Sequence, residues 1–416
     1  MLTDLTEVER QVVDAARRGE AVKPATTMTA EELAVTDDAE LRVRADLLRE
    51  LLRGLRGDLD PRGIRIVGVR VVGELDLDHV TAVTGLHLYQ CALPDGVSCR
   101  YARLRDLYLD GSLLTYLRAD GLRTDSNLFV RDATITDTRK NGAIRLIGAH
   151  IGGQAVLLMS SLDNSSGPLL VMHEAQVTGA LFPPTSLVCP AGRQEVGRRG
   201  CPDRDRTITA HGLTFPILRE TSWRQWLHLL VHHTPTYWPQ PFQQLAATER
   251  AAGHDNNARE VLITQQHELR RRTPQALGNR FARGRHALWG RLGRYGYRAH
   301  RLVTALAVVL TLAAGLGLLA GHVTTRPGHH AAERVPPATA KPGAPGTPCS
   351  PVELIGLGID RGLPLGATGI RAHCDLDTAT AWGQTFTAVL WALQALLWGL
   401  ATLAIAAYTG LVRKPT

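Results

Sequence analysis

Asp76 and Asp78 are the residues whose types and spacing best suit acid–base chemistry in this 416-residue sequence. In a strand their side chains would share one face about 7 Å apart, a separation that suits paired carboxylates. The corresponding positions further along, however, carry Ser98 and Arg100, and then Arg118 and Asp120. This alternation of charge is typical of a solvated ladder. We therefore interpret the charged members as a candidate interaction surface and not as a catalytic site: Asp76, Asp78, Arg100, Arg118 and Asp120.

Cysteine and histidine spacing does not predict a redox or metal site. The six cysteines form no CxxC motif, and the pattern predicts that Cys91 and Cys99 are packed thiols. Cys189 and Cys201 could join His211 on zinc, but their spacing is not typical of a metal site. We predict no cofactor and no metal, and the catalytic residues stay unknown.

A short repeat of the form apolar-x-apolar-x-x-small-x-apolar dominates the first half of the chain. Its paired units recur every 21 or 22 residues, as at Ile64, Leu86, Leu107 and Leu128. Short runs of period-two alternation separated by corners are typical of coiled parallel strands. An alternating α/β domain would need helices of 10–15 residues between strands, which do not fit this spacing. The predicted fold is a mainly β solenoid over residues 60–185. Its repeat loosely resembles the pentapeptide-repeat pattern of right-handed β-helices, best at Ala119-Asp120-Gly121-Leu122, where a glycine interrupts the pattern.

The flanking segments complete the predicted architecture, which adds an α-helical cap, a helical hairpin and two transmembrane helices. Amphipathic helical spacing predicts the cap, and a turn at Gly253 predicts the hairpin. The predicted parts are a cap at 1–59, the solenoid at 60–185, an irregular connector at 186–216, a helical region at 217–272, a basic juxtamembrane segment at 273–301, a first transmembrane helix at 302–323, an extracytoplasmic loop at 324–385, a second transmembrane helix at 386–412 and a tail at 413–416.

The two late apolar runs predict membrane attachment. The first, 302–323, carries no charge and would span about 33 Å as a helix, enough for a bilayer core of about 30 Å. Gly315, Gly317 and Gly321 within it predict close packing against the second run. In that second run, Gln394 is a polar side chain at membrane depth that needs a partner.

Arginine placement predicts the orientation of both helices. Residues 270–301 contain ten arginines and no acid, so the positive-inside rule places residues 1–301 and the tail in the cytoplasm. We predict a multi-pass protein of the cell membrane with both termini cytoplasmic. Six of these arginines are predicted to contact anionic lipid headgroups, and the alternative is a basic flank without lipid specificity. The six are Arg283, Arg285, Arg291, Arg294, Arg298 and Arg301. The net charge of +8 does not indicate nucleic-acid binding, because the basic stretch adjoins the membrane.

Cysteine placement agrees with this topology. Cys349 and Cys374 both fall in the outer segment, where a disulfide can persist, so we predict that they are joined.

One face of the repeat carries aromatic side chains in register. His87, Tyr108 and Phe129 recur at the 21-residue period, with Tyr89 beside them. Large rings that face water together usually mark a covered surface. The cover is either the chain's own tryptophan-bearing segment, 223–238, which we favour, or a foreign partner.

Several segments resemble one bacterial family. They are Val72-Gly73-Glu74-Leu75-Asp76-Leu77, the run from Trp238 to Ala246, Ala258-Arg259-Glu260-Val261-Leu262, Arg294-Tyr295-Gly296-Tyr297 and the final Thr409-Gly410-Leu411-Val412-Arg413. Over nearly the whole chain the sequence is similar to bacterial membrane-associated oxidoreductases, which look like pentapeptide-repeat membrane proteins. The resemblance implies the order of parts and, as an alternative function, redox chemistry with an unidentified cofactor. The residues themselves predict a two-pass membrane protein that presents a cytoplasmic binding or scaffolding module, with an unknown protein partner.

Overall fold

The chain folds into two compact units, residues Met1–Thr273 and Pro274–Thr416. The computed structural model describes residues 2–24, 27–188, 206–293, 300–336, 345–362 and 369–408.

The first unit is built on short parallel strands, most of them two residues long. Their apolar residues point inward in alternation with outward polar ones, as the period-two pattern requires. In chain order the strands are β1 Ala21–Val22, β2 Arg42–Arg44, β3 Ile64–Val67, β4 Arg70–Val72, β5 Leu75–Asp76, β6 Leu86–Tyr89, β7 Ala92–Leu93, β8 Val97–Ser98, β9 Arg103–Leu104, β10 Leu107–Tyr108, β11 Leu113–Leu114, β12 Leu117–Arg118, β13 Arg123–Thr124, β14 Leu128–Phe129, β15 Thr134–Asp137, β16 Ile144–Arg145, β17 His150–Ile151, β18 Ala155–Val156, β19 Ser161–Asn164, β20 Leu170–Val171, β21 Gln176–Val177, β22 Ala180–Phe182, β23 Ile208–Thr209 and β24 Ile217–Leu218.

These strands form four parallel sheets within the described part of the unit. The largest has eight strands in the order β1-β3-β6-β10-β14-β18-β22-β24, and the others have six, six and four. The 21-residue recurrence sets the register, because Leu107 pairs with both Leu86 and Leu128. All three leucines are fully buried, so the core lies between the sheets.

One column of corners between the sheets uses the left-handed backbone region. His79, Tyr101, Gly121, Glu174 and Gly212 all have φ between 55° and 74°. At Gly121 a Cβ would lie 2.5 Å from the ring of Tyr101, which explains why glycine interrupts the repeat there. The last two corners, Glu174 and Gly212, position the histidines described below.

Three helices precede or separate the first strands: α1 Glu7–Arg18, α2 Ala30–Val35 and α3 Ala45–Leu52. Thr6 begins α1, since its hydroxyl accepts from the Glu9 N–H while the Glu9 carboxylate accepts from the Thr6 N–H. Strands β1 and β2 alternate with these helices and pair in parallel with β3 and β4. The predicted helical cap at 1–59 therefore also contains two strands of the sheets.

The predicted fold class, a mainly β solenoid, is wrong. The structure is 41% helix with ten helices in its described residues, and its parallel sheets stack in an α/β-like arrangement and not as a closed solenoid. A right-handed β-helix of pentapeptide-repeat type is not supported either. The physical reason is that a period-two pattern predicts strands locally, whereas the class depends on what connects and flanks them. Here helices alternate with the first strands, and three more helices follow the last strand of the first unit.

Those later helices are α4 Trp223–His232, α5 Gln240–Ala251 and α6 Asp255–Arg272. Helices α5 and α6 pack on each other around a turn at Gly253, whose φ is +82°. Gln240 and Gln244 attach α5 to the sheets: their side-chain amides donate to the carbonyl oxygens of Leu213 at 2.9 Å and Phe215 at 2.6 Å. The apolar face of the hairpin is thus buried within its own unit.

The second unit contains four helices and two small antiparallel sheets in its described part. The helices are α7 Arg280–Gly293, α8 His300–His322, α9 Pro351–Gly362 and α10 Ala381–Tyr408. The strands are β25 Thr324–Arg326, β26 His329–His330, β27 Ala332–Arg334 and β28 Cys374–Leu376. Helices α8 and α10 are each long and apolar enough to cross a membrane, over Leu302–His322 and Ala381–Ile405.

Candidate functional site

Asp76 and Asp78 are held by separate partners. Asp78 accepts hydrogen bonds from the Ser98 hydroxyl at 2.7 Å and from the Arg100 backbone N–H and Nε, both at 2.8 Å. Burial opposes ionisation, but the hydrogen bonds from Arg100 and Ser98 hold the pKa of Asp78 below its usual value. Asp76 forms its own ion pair with Arg49 at 2.8 Å. A carboxylate with a lowered pKa is a poor proton donor near neutral pH, so general acid catalysis is not favoured here.

The remaining charges of this surface form a ladder. Asp120 pairs with Arg145 at 3.0 Å, and the Arg118 guanidinium lies 4.7 Å from the centre of the Tyr116 ring. Asp76, Asp78, Arg100 and Asp120 thus form ion pairs with other segments, and Arg118 packs on the ring of Tyr116, two residues before it. We call this surface, with Arg145 added, the mixed-charge ladder. Its charges are held in place before any partner arrives, which lowers the entropy cost of binding.

The predicted aromatic residues form a continuous stack. Tyr108 lies between His87 and Phe129, with ring centres 4.3 Å and 4.6 Å away and rings nearly parallel. Tyr89 meets Tyr108 edge-on at 6.5 Å, and all four side chains are half-buried. His87 also contacts the Asp106 carboxylate at 2.5 Å. The rings are therefore covered in part by one another.

The tryptophan-bearing segment packs elsewhere in the unit. Trp226 meets the ring of Phe215 edge-on at 6.1 Å, and Trp238 stacks on His211 at 4.9 Å. Neither ring contact lies on the stack of His87, Tyr108 and Phe129. The favoured internal cover of that stack therefore finds no support in these contacts.

A cavity of about 70 Å³ lies beside the last strands of the first unit. The rings of His173 and His211 line it, with centres 3.9 Å apart and with their Nδ1 atoms in direct contact. Trp238 closes one side by stacking on His211. The other walls come from β23, from the two helices α4 and α5 and from the segment between them, and they include Ile208, Thr209, Leu230, Thr234, Pro235 and Phe242.

Strand register positions the two histidines. Val171 pairs with Thr209, so His173 and His211 follow at equivalent positions of adjacent strands. Each directly precedes a left-handed corner, and the Glu174 N–H donates to the His211 carbonyl oxygen at 2.8 Å. The Gly212 N–H donates to the Gln240 side chain at 2.8 Å, which sets Trp238 over the cavity. Backbone bonds thus hold both imidazoles in place.

The electrostatics of this cavity favour a neutral His173 imidazole. Burial, and then the neighbouring His211, lower the pKa of His173. Two Nδ1 atoms in contact can share at most one proton, so one ring donates and the other accepts. The buried Thr209 hydroxyl makes no hydrogen bond to the described residues. The cavity can accept a small ligand, but among its lining residues no carboxylate orients either imidazole as a general base would require.

Sequence reasoning missed this histidine pair. It weighed His211 only with Cys189 and Cys201, which lie outside the described residues. His173 and His211 are 38 positions apart, because the connector at 186–216 interrupts the 21-residue recurrence. A signal does exist, since Leu170-Val171 and Ile208-Thr209 each precede a histidine at the same offset. Across the described residues no group of three or more histidine, cysteine, aspartate or glutamate side chains could hold a metal ion.

In the second unit the structure shows where two further predicted features lie. Cys349 and Cys374 form a disulfide with Cα atoms 6.1 Å apart. Gln394 is half-buried in α10, between the exposed Trp391 and Trp398.

Of the predicted lipid-contact arginines, Arg283 and Arg285 lie on α7. The side chains of Arg291, Arg294, Arg298 and Arg301 lie outside the described part of the chain.

The predicted packing of the α8 glycines is corrected. A Cβ on Gly317 or Gly321 would meet Leu354 of α9, at 2.2 Å in each case, and not a residue of α10. At Gly315 no atom lies within 4 Å of that position. Gly317 and Gly321 thus allow close contact with a helix that sequence reasoning had placed in an extracytoplasmic loop.

Comparison with known proteins supplies no relative: no family model, no curated protein and no solved structure matches this chain. The fold and the site geometry therefore carry the functional argument by themselves.

Proposed function

We propose that this chain is a two-pass membrane protein whose first unit is a binding or scaffolding module. The observation that carries the proposal is that the apolar side chains of α8 and α10 face outward. Val303, Leu312 and Leu319 of α8 are each more than half exposed, and Trp391 of α10 is 63% exposed. A core helix of a water-soluble protein would bury such side chains, whereas lipid covers them in a bilayer.

Orientation follows from the arginines before the first span. Ten arginines and no acid between residues 270 and 301 favour a cytoplasmic location for that segment. An even number of spans then returns the carboxyl terminus to the same side. The first unit accordingly faces the cytoplasm, and the disulfide-bonded segment faces the oxidising side, where a disulfide persists.

Helix α7 supports contact with anionic lipids. Phe281 and Leu288 are seven residues apart, so they share one helix face, and they are 77% and 58% exposed. Arg280, Arg283 and Arg285 belong to the same helix, which has no acidic residue. Apolar side chains together with arginines are typical of a helix that lies in the headgroup region.

The mixed-charge ladder supports the binding role of the first unit. Its ion pairs are satisfied within the chain, so a partner of complementary charge pattern would meet a surface that needs no reorganisation. The redox alternative rests on the sequence resemblance alone.

Membrane extraction and cysteine accessibility test the topology. The full chain should stay with membranes in alkaline carbonate and leave only with detergent. In a parent that has Cys189 and Cys201 replaced by alanine, T378C should react with an impermeant maleimide in intact cells. S222C should react only after lysis, since both positions are exposed but on opposite sides. Release by carbonate, or labelling of S222C in sealed cells, would overturn the proposal.

Photo-crosslinking tests the binding role. A photoreactive amino acid at Arg118, within the ladder, should give a discrete adduct in cells, while one at the exposed Glu31 should not. Equal adduct patterns at both positions would remove the ladder as the binding surface. The purified protein should also lack flavin, haem or iron–sulfur absorbance; a stoichiometric chromophore would favour the oxidoreductase alternative.

A further inference from the structure

The helix α9 packs lengthwise on the first span. A Cβ on Gly317 would lie 2.2 Å from the Leu354 carbonyl oxygen, and one on Gly358 would lie 2.1 Å from the Ala313 carbonyl oxygen. The two backbones are therefore in direct contact at two successive turns. Because the contacts pair 317 with 354 and 313 with 358, α9 runs antiparallel to α8.

This contact fixes the depth that α9 reaches along α8. Ala313 is nine residues before His322, where α8 ends, so it lies roughly 13 Å along the helix axis from that end. A bilayer core is about 30 Å thick. If Leu302–His322 spans it, Gly358 lies near the middle of the membrane.

The outward face of α9 is apolar. Val352 is 78% exposed and Ile355 is 36% exposed, while Leu354 and Leu357 pack inward against α8 and α10. A helix immersed in water would normally place polar side chains on its outer face. This face instead matches the lipid-facing sides of α8 and α10.

Charged side chains at the deep end of α9 are paired. Asp360 is 1% exposed, with the Arg371 Nε 2.6 Å from its carboxylate, and the Arg371 guanidinium also donates to the Asp360 carbonyl oxygen at 2.8 Å. Arg361 pairs with Asp375 of β28. Asp360 faces the protein interior, whereas Arg371 is 47% exposed; ionisable groups at membrane depth are tolerated when they are paired in this way.

The upper end of α9 is anchored. Ser350 begins the helix, since its hydroxyl accepts from the Glu353 N–H at 3.3 Å while the Glu353 carboxylate accepts from the Ser350 N–H at 2.7 Å. The preceding residue, Cys349, is disulfide-bonded to Cys374 of β28. Both the entry and the return of the segment are thereby held at one end of the spans.

We propose that α9 is a re-entrant helix: it enters the bilayer beside α8 and contacts lipid acyl chains through Val352 and Ile355. At Cys374, which is bonded to Cys349, the chain is back on the side where the helix began. The inference rests on the proposed two-pass topology. The partner of this face is the lipid hydrocarbon itself, and the segment 324–385 is only in part an aqueous loop.

Cysteine accessibility of the full chain in lipid nanodiscs tests this proposal, because both membrane faces are then open to the reagent. In the parent without Cys189 and Cys201, single cysteines are placed at Ile355 of α9, at Val308 of α8 as a span control, and at Thr378 as an aqueous control. All three positions are exposed in the protein. An impermeant maleimide should label T378C fast, and I355C and V308C at least tenfold more slowly.

The outcomes separate the two proposals. If I355C reacts as fast as T378C while V308C stays protected, the re-entrant helix is wrong and the two spans stand. If V308C also reacts fast, the two-pass topology itself fails. A spin label on I355C gives a second readout: collisions with oxygen should exceed those with a water-soluble nickel complex, and the reverse would overturn the proposal even if the substitution changes reactivity.

Discussion

The imidazole rings of His228 and His232 lie one turn apart on α4 with their centres 4.6 Å from each other. His233 is close as well, with its ring centre 5.5 Å from that of His228. Burial, and then these two neighbours, lower the pKa of His228 to about 4. An unfolded chain would have a histidine pKa of about 6.5.

This relationship predicts a pH-dependent stability of the first unit. Between pH 6.5 and about 4 the unfolded state binds more protons at His228 than the folded state, so stability falls as pH falls. Above that window the contribution is constant. We expect the melting temperature of the detergent-solubilised chain to decrease across the window, and H228Q to flatten the decrease. A slope that is the same in H228Q and in the parent would contradict the assignment.

Removal of one carboxylate should weaken the mixed-charge ladder. D78N loses the ion pair with Arg100 and should destabilise the protein by about 1–2 kcal/mol, measured by chemical denaturation. Because the folded pKa of Asp78 is lowered, this contribution is present near neutral pH and is lost as pH falls through the acidic range below about 4. D76N is the matched control: its side chain is 53% exposed, and it should cost clearly less. Equal costs at neutral pH would contradict the ladder geometry.

The aromatic stack should contribute to stability through its central ring. Y108A removes stacking on both His87 and Phe129 and should cost about 2 kcal/mol of unfolding free energy. Y108F keeps the ring and loses only a 3.3 Å hydrogen bond from Asn127, so it should recover most of that loss. Thermal unfolding of both variants measures the difference. If Y108A is as stable as the parent, the stack does not stabilise the fold, and its surface is then available to a foreign partner.

The contact between α8 and α9 should be intolerant of one added methyl group. G317A places a Cβ 2.2 Å from the Leu354 carbonyl oxygen and should cost about 1–3 kcal/mol in the detergent-solubilised protein. G315A lies on the same helix with no atom within 4 Å, so it should be neutral or slightly stabilising. Melting temperatures that change equally in the two variants would show that α9 does not pack on α8.

Local composition and spacing were enough to predict the two long apolar helices and the strand register. A run of apolar residues specifies a helix of membrane length without reference to any other part of the chain, and the structure has such helices at Leu302–His322 and Ala381–Ile405. The recurrence of Leu86, Leu107 and Leu128 likewise follows from the repeat itself, and these residues are parallel partners. The pairing of Cys349 with Cys374 required only that both lie between the two apolar helices.

The fold class, the histidine cavity and the position of α9 were decided only by tertiary structure. Each depends on contacts between segments whose separation in the chain carries no period: β1 with β3 across two helices, His173 with His211 across the connector, and Gly317 with Leu354 across a disulfide-bonded segment. A sequence pattern reports which side of an element is apolar. It does not report which other element covers that side, because that choice is made by packing and chain connectivity in three dimensions.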